Sequence, residues 1–67
     1  MNTMTAKEVL NLIKTTKLHA ICGFVKITEH DGAYVELSKK DFVAVLKSNL
    51  GEQSIVASLT ADVLYIN

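Results

Sequence analysis

Apolar and polar residues alternate through residues 20–38, AICGFVKITEHDGAYVELS, and this pattern predicts a β-hairpin. Its turn is expected at His30-Asp31-Gly32, a three-residue loop with Gly32 in the left-handed region as a bulge. The alternative is a two-residue loop at Asp31-Gly32, which would mix charge into both faces of the ribbon. We therefore predict the three-residue loop.

This register separates the side chains of the hairpin into two faces. An apolar face would hold two cross-strand pairs, Ile27 with Val35 and Val25 with Leu37. The other face would carry Cys22, Phe24, Lys26, Thr28, Tyr34 and Glu36, with Lys26 paired to Glu36 and Thr28 to Tyr34. The apolar face is expected to be the core face beneath the helices.

A helix is predicted on each side of the hairpin. The first begins at Thr5, because Thr5-Ala6-Lys7-Glu8 fits a capping box, and it ends near Thr15-Thr16-Lys17. Apolar residues recur along it at helical spacing, at Ala6, Val9, Leu10 and Ile13. The residues before it, Met1 to Met4, are expected to be frayed.

The second helix is predicted from about Lys39 to Asn49. Ser38 can cap its start and Asp41 can reach back, although an Asp side chain is shorter than the usual Glu or Gln. Asn49 or Gly51 offers a left-handed stop. Its apolar stripe comprises Phe42, Val43, Val45, Leu46 and Leu50.

Strand patterns return at the end of the sequence, after a loop predicted at Glu52-Gln53-Ser54. Alternation from Ile55 to Thr60 predicts a half-buried strand, and residues 63–66 are apolar on both faces, as in a central or doubly covered strand. Thr60-Ala61-Asp62 is either a tight turn between two strands or a bend in one. A terminal helix is disfavoured because β-branched and aromatic residues dominate this end.

The elements together predict one small domain, residues 1–67, of the α+β class. The order is α-β-β-α-β(-β), with two helices packed on one face of a mainly antiparallel sheet. A domain of this length buries only about 60% of its unfolded surface, so modest stability is expected.

The charged residues give little support to nucleic-acid binding. Seven acidic residues balance seven basic ones among 67, and every basic residue is a lysine. Phosphate and base recognition favour arginine and a net positive field, which this chain lacks. A weakly basic nucleic-acid surface on the first helix, at Lys7, Lys14 and Lys17, is nevertheless the alternative function.

Candidate catalytic and metal-binding residues are few. His19, Cys22, His30 and Asp31 do not stand at a recognisable metal-ligand or catalytic spacing, so neither an enzyme, a metal site nor a small-molecule cofactor is expected. Cys22 is the only cysteine, which fits a reducing compartment. No apolar run is long enough to span a bilayer. We expect a soluble, cytoplasmic protein.

The face bearing Phe24 and Tyr34 suggests a function. A chain this short has no second helical layer to cover both sheet faces, and exposed aromatic side chains are common binding anchors. We predict a small non-enzymatic protein-binding module, an inhibitor or accessory regulator; its size is typical of those carried by phage or mobile elements. The predicted partner-binding residues are Phe24, Lys26, Tyr34, Glu36, Leu64, Tyr65 and Ile66.

Two alternatives concern this surface. Leu64, Ile66 or the chain ends could instead cover the rings of Phe24 and Tyr34, which would leave no exposed aromatic surface. Self-association through Val63 to Ile66 is a second route to a partner, since pairing through that strand would extend the sheet and hide an apolar edge.

Overall fold

The computed structural model describes residues 2–50 and 54–67. In these ranges two helices and five strands follow one another in the order β1 (Asn2–Thr5), α1 (Ala6–Thr15), β2 (Ala20–Lys26), β3 (Gly32–Glu36), α2 (Lys39–Ser48), β4 (Ser54–Thr60) and β5 (Val63–Ile66). The strands form one sheet in the order β1-β4-β5-β2-β3. The predicted α+β class is confirmed, but the sheet is mixed, because β2 and β5 are parallel while the other neighbours are antiparallel.

Strand β1 was not expected from the sequence. Residues 2–4, predicted to be frayed, pair with β4 instead, with Met4 opposite Ile55; Met1 lies outside the described residues. A four-residue segment is too short for alternation to be recognised, and its pairing partner is about fifty residues away in the chain. By pairing with β4, β1 covers an edge that the sheet would otherwise expose.

Helix α1 begins directly after β1, and Thr5 serves both elements. The predicted capping box is present: the Glu8 amide donates to Thr5 Oγ1 at 3.1 Å, and the Thr5 amide donates to Glu8 Oε1 at 2.9 Å. The strand-like backbone that a capping residue requires also suits the last residue of a strand. The chain can therefore turn from sheet to helix without a loop.

Helix α2 is capped by Ser38 and ends before Asn49, close to the predicted bounds, but the backbone of its last residues differs from the prediction. The Asp41 amide donates to Ser38 Oγ at 3.3 Å. Asn49 is not left-handed, with φ −131°; its side-chain amide donates to the Val45 carbonyl at 3.0 Å, which satisfies a carbonyl of the last turn. Gly51 and the Glu52-Gln53 part of the predicted loop lie outside the described residues.

The core lies between the helices and one face of the sheet. Ile21 and Leu64 are neighbours across the β2–β5 pair and are buried beneath Val9 of α1. Both helices supply core residues, and the strand residues of the core all point to the same side of the sheet. The buried cluster consists of Ala6, Val9, Ile13, Ile21, Leu46, Ala57 and Leu64. Both helices therefore pack on one face, as predicted.

The hairpin of β2 and β3 has a different register from the predicted one. Val35 lies opposite Gly23 instead of Ile27, and Glu36 lies opposite Cys22 instead of Lys26. The loop has five residues, 27–31, and the amides of His30 and Asp31 both donate to Thr28 Oγ1. Gly32 is not left-handed. The Thr28 side chain thus helps to close this longer loop. In the predicted three-residue loop, the backbone of a left-handed glycine would have closed the turn.

The helices cover the apolar side of this hairpin only in part. Leu37 packs against the core, whereas Val25, Ile27 and Val35 are exposed, contrary to the prediction that all four look inward to the core. Their exposure leaves the outer part of the hairpin apolar and uncovered on the helical side.

Strands β4 and β5 are joined by a tight turn at Ala61-Asp62, one of the two predicted alternatives. Strand β5 is central, as its two apolar faces indicated. Ala61 has φ 55°, a left-handed conformation at the first turn residue that hairpins usually fill with glycine.

We expect Ala61→Gly to stabilise the fold. Removing the Cβ relieves the cost of positive φ, so the free energy of unfolding should rise by about 0.5–1 kcal/mol. Ala44→Gly is the matched control, since Ala44 is exposed within α2 and glycine there should cost about 1 kcal/mol. Urea denaturation should give shifts of opposite sign, and a loss of stability in both variants would contradict the turn conformation.

Candidate protein-binding face

The sheet face opposite the helices, called the open face, is assembled from all five strands, and its aromatic side chains come from β2, β3 and β5. Residues directly opposite one another in neighbouring strands point to the same side of a sheet. The register places Tyr65 beside Cys22 and Phe24 beside Tyr34, while the neighbours Ile21 and Leu64 point into the core. Neither described helix packs on the open face.

Three rings on the open face form one cluster, called the aromatic cluster, made of Phe24, Tyr34 and Tyr65. The Phe24 and Tyr34 ring centroids are 5.4 Å apart with planes at 73°, and those of Tyr34 and Tyr65 are 5.0 Å apart at 77°. Such edge-to-face contacts are each worth about 0.5–1.5 kcal/mol beyond burial. The Tyr34 hydroxyl donates to Asn67 Oδ1 at 2.7 Å, which fixes the central ring to the chain end.

Phe24 rests on Gly32, and this contact explains the glycine. A Cβ built on Gly32 would overlap the end of the Phe24 ring. Glycine at this position lets the ring pack closely over the backbone, and its backbone is not in the left-handed conformation that was predicted. The sequence pattern located the important glycine but assigned it the wrong reason.

The aromatic cluster is accessible to a partner. Phe24 is 48% exposed and Tyr34 is 41% exposed. Tyr65 is half-buried, because its strand, β5, lies between β4 and β2. Leu64 and Ile66 do not cover these rings, because both point to the helical side. Asn67 holds the Tyr34 hydroxyl and leaves the ring face exposed.

The other predicted binding residues lie in different places. Lys26 and Glu36 are on the open face but at opposite ends of the hairpin, opposite Gly32 and Cys22, so they do not form the predicted pair. Leu64 is fully buried and Ile66 packs against the core. Strand β5 is paired on both edges, which contradicts self-association by adding a strand to β5.

The residues with catalytic potential are spread along β2. The His19 amide donates to the Asp62 carbonyl at 2.7 Å just before the strand, Cys22 is half-buried on the open face, and His30 lies in the loop beyond the far end. A seven-residue strand, about 20 Å long, separates the two histidines. Within the described ranges, no group of three or more His, Cys, Asp or Glu could hold a metal ion.

A lysine-lined groove between α1 and α2 was not predicted. It has a volume of about 570 Å³; its sides include Lys14, Lys39 and Lys47, and Ile13 and Val43 contribute apolar surface. Lys7 and Lys17, the other lysines of the predicted nucleic-acid surface, do not line it. The spacing of Lys39 and Lys47, about two helical turns, was the signal in the sequence that could have indicated it.

No helix in the described part of the chain is long and apolar enough to cross a membrane. Comparisons with protein-family models, with curated proteins and with solved structures found no significant match.

Proposed function

We propose that this protein is a small non-enzymatic protein-binding module, acting as an inhibitor or accessory regulator of a larger protein through the open face. One observation carries the proposal: the aromatic cluster is ordered by ring contacts and a hydrogen bond yet lies where no described helix covers it. Rings that are already fixed lose little conformational freedom on binding, so burying them favours association.

The chemistry of the open face suits an apolar patch on another protein. Phe24 and Tyr34 offer apolar surface at the centre, and Lys26 and Glu36 place one charge of each sign at the ends of the hairpin. An apolar centre with a polar rim is the usual composition of a protein interface. The balanced charge gives no attraction to a phosphate backbone, which makes a protein a better partner for this face than a nucleic acid.

The experiment compares two exposed apolar side chains on opposite faces of the sheet. We expect Phe24→Ala to weaken binding of the partner at least tenfold, roughly 1.4 kcal/mol, as for an interface anchor. The partner would be isolated from a lysate of the source cells with the wild-type protein, and its affinity for each variant then measured by calorimetry.

Leu59→Ala is the matched control. Leu59 is 44% exposed, close to the value for Phe24, but it lies opposite Leu64 and so points to the helical side. Its truncation should change the affinity less than about twofold, within the range of surface substitutions outside an interface. The proposal fails if Leu59→Ala weakens binding and Phe24→Ala does not, or if only nucleic acid is recovered.

A further inference from the structure

Strand β3 is an edge strand with apolar side chains on both faces. All five of its residues are exposed, with Tyr34 on the open face and Val35 on the helical side. Natural edge strands are commonly protected by lysine, proline, a bulge or a covering element. Strand β3, GAYVE, has neither lysine nor proline, and in the described residues no element pairs with its outer edge.

The backbone groups that β3 leaves available follow from the ends of the hairpin. The Leu37 amide donates to the Ile21 carbonyl at 2.7 Å and the Ile27 amide to the Asp31 carbonyl at 2.8 Å, and both pairs continue the β2–β3 register. Hydrogen-bonded pairs alternate with non-bonded pairs along an antiparallel ladder. The amides and carbonyls of Ala33 and Val35 therefore point to β2, while those of Gly32, Tyr34 and Glu36 point outward.

We propose that β3 binds β3 of a second copy of this chain, antiparallel and about a two-fold axis beside Tyr34. With the axis beside Tyr34, all five residues of β3 pair with the second copy, and every outward-pointing amide lies opposite an outward-pointing carbonyl. Gly32 then faces Glu36 of the other copy, and Ala33 faces Val35. A small residue stands opposite a larger one in both pairs, so the strand is complementary to itself.

Charge complementarity also favours a second copy over an unrelated strand. Within one copy Lys26 lies opposite Gly32, which has no side chain, and both are on the open face. Glu36 of the second copy lies on the other side of Gly32, in the same cross-strand row as Lys26. The Phe24 ring covers the glycine, so the two long side chains would meet beside that ring, across two strand spacings of about 5 Å each. The two-fold axis creates this contact twice, although Lys26 and Glu36 do not pair within one chain.

The resulting dimer would have a continuous sheet of twice the five strands of one chain. Two aromatic clusters would meet across the axis at their Tyr34 rings, and Val35 of each copy would gain an apolar neighbour on the helical side. Pairing through the β3 edge does not require the proposed partner of the open face, so each can fail without the other.

The test removes the hydrogen bonds at the axis. Tyr34→Pro lacks the outward amide but breaks no bond to β2, and proline is tolerated at such an edge position. Tyr34→Thr is its control, because it also loses the ring but keeps the amide. Sedimentation velocity over a wide concentration range should show dimers for the wild type and for Tyr34→Thr. Tyr34→Pro should be monomeric, with a dissociation constant raised at least tenfold and an unchanged far-UV circular dichroism spectrum.

Charge reversal provides a test that leaves Tyr34 in place. Glu36→Lys and Lys26→Glu each place like charges together twice in the dimer, and each should raise the dissociation constant about tenfold. The double variant Lys26→Glu with Glu36→Lys restores both attractions and should dimerise like the wild type. A wild type that stays monomeric, a Tyr34→Pro variant that dimerises, or a double variant no better than either single change would overturn the proposal.

Discussion

Leu64→Ala should lower the free energy of unfolding by about 2–5 kcal/mol, the largest effect we expect from a single truncation here. Leu64 has no exposed surface and lies in β5, the middle strand of the sheet, opposite Ile21 on one side and Leu59 on the other. A chain of this length has a total stability on the order of 3–10 kcal/mol. The variant should therefore lose a large fraction of its total stability, which urea titration followed by circular dichroism would show as a lower midpoint.

Leu59→Ala gives the matched comparison for this result. The two leucines are neighbours across the β4–β5 pair and point to the same side of the sheet, but Leu59 is 44% exposed. Its loss should cost less than about 1 kcal/mol, since little apolar surface is returned to water. Equal effects of the two truncations would show that Leu64 is not at the centre of the core.

The parts of the fold that local chemistry determines were predictable from the sequence. Helix α1 begins at a capping box formed by residues three apart, and Thr5 makes both predicted bonds. The turn at Ala61 joins strands that are adjacent in the chain. Each prediction needed only side chains within a few residues, so no knowledge of the distant chain was required.

The hairpin register shows where periodicity stops being informative. The predicted pairing of Val35 with Ile27 and the observed pairing with Gly23 differ by four residues along β2. Side chains alternate with a period of two, so an even shift leaves every residue on its original face. Alternation therefore assigned Phe24 and Tyr34 correctly to one face but could not select among registers that differ by an even number of residues.

The candidate site was predictable to the same extent. Alternation alone places Tyr65 on one face of β5 and Leu64 and Ile66 on the other. The prediction that all three bind the same partner did not use this information. The contact between Tyr65 and Tyr34 depends on the parallel pairing of β5 with β2, which are joined by no short loop. Long-range pairing of this kind leaves no local signal in the sequence, and the same holds for β1.

The two glycines of the hairpin differ in what lies over them, and this difference predicts costs of different size when a side chain is added. Gly23 is buried, and a Cβ there would lie 2.9 Å from Cδ1 of Leu37, which packs against the core. We expect Gly23→Val to cost about 1–3 kcal/mol by overpacking, measured by urea denaturation. Gly32→Val would displace only the exposed end of the Phe24 ring and should cost less than about 1 kcal/mol.

A double variant identifies Leu37 as the cause of the cost at Gly23. Leu37→Ala alone creates space above Gly23, and Gly23→Val fills part of it, so the two changes together should cost less than their sum by about 0.5–3 kcal/mol. Gly23 lies in the interior strand β2 and Gly32 in the edge strand β3, where the strand propensity of valine differs, so the double variant rather than the comparison of the two glycines isolates the contact with Leu37. Additive costs for the Gly23 and Leu37 changes would mean that Leu37 does not lie over Gly23, and the helical side of the hairpin would then be packed differently.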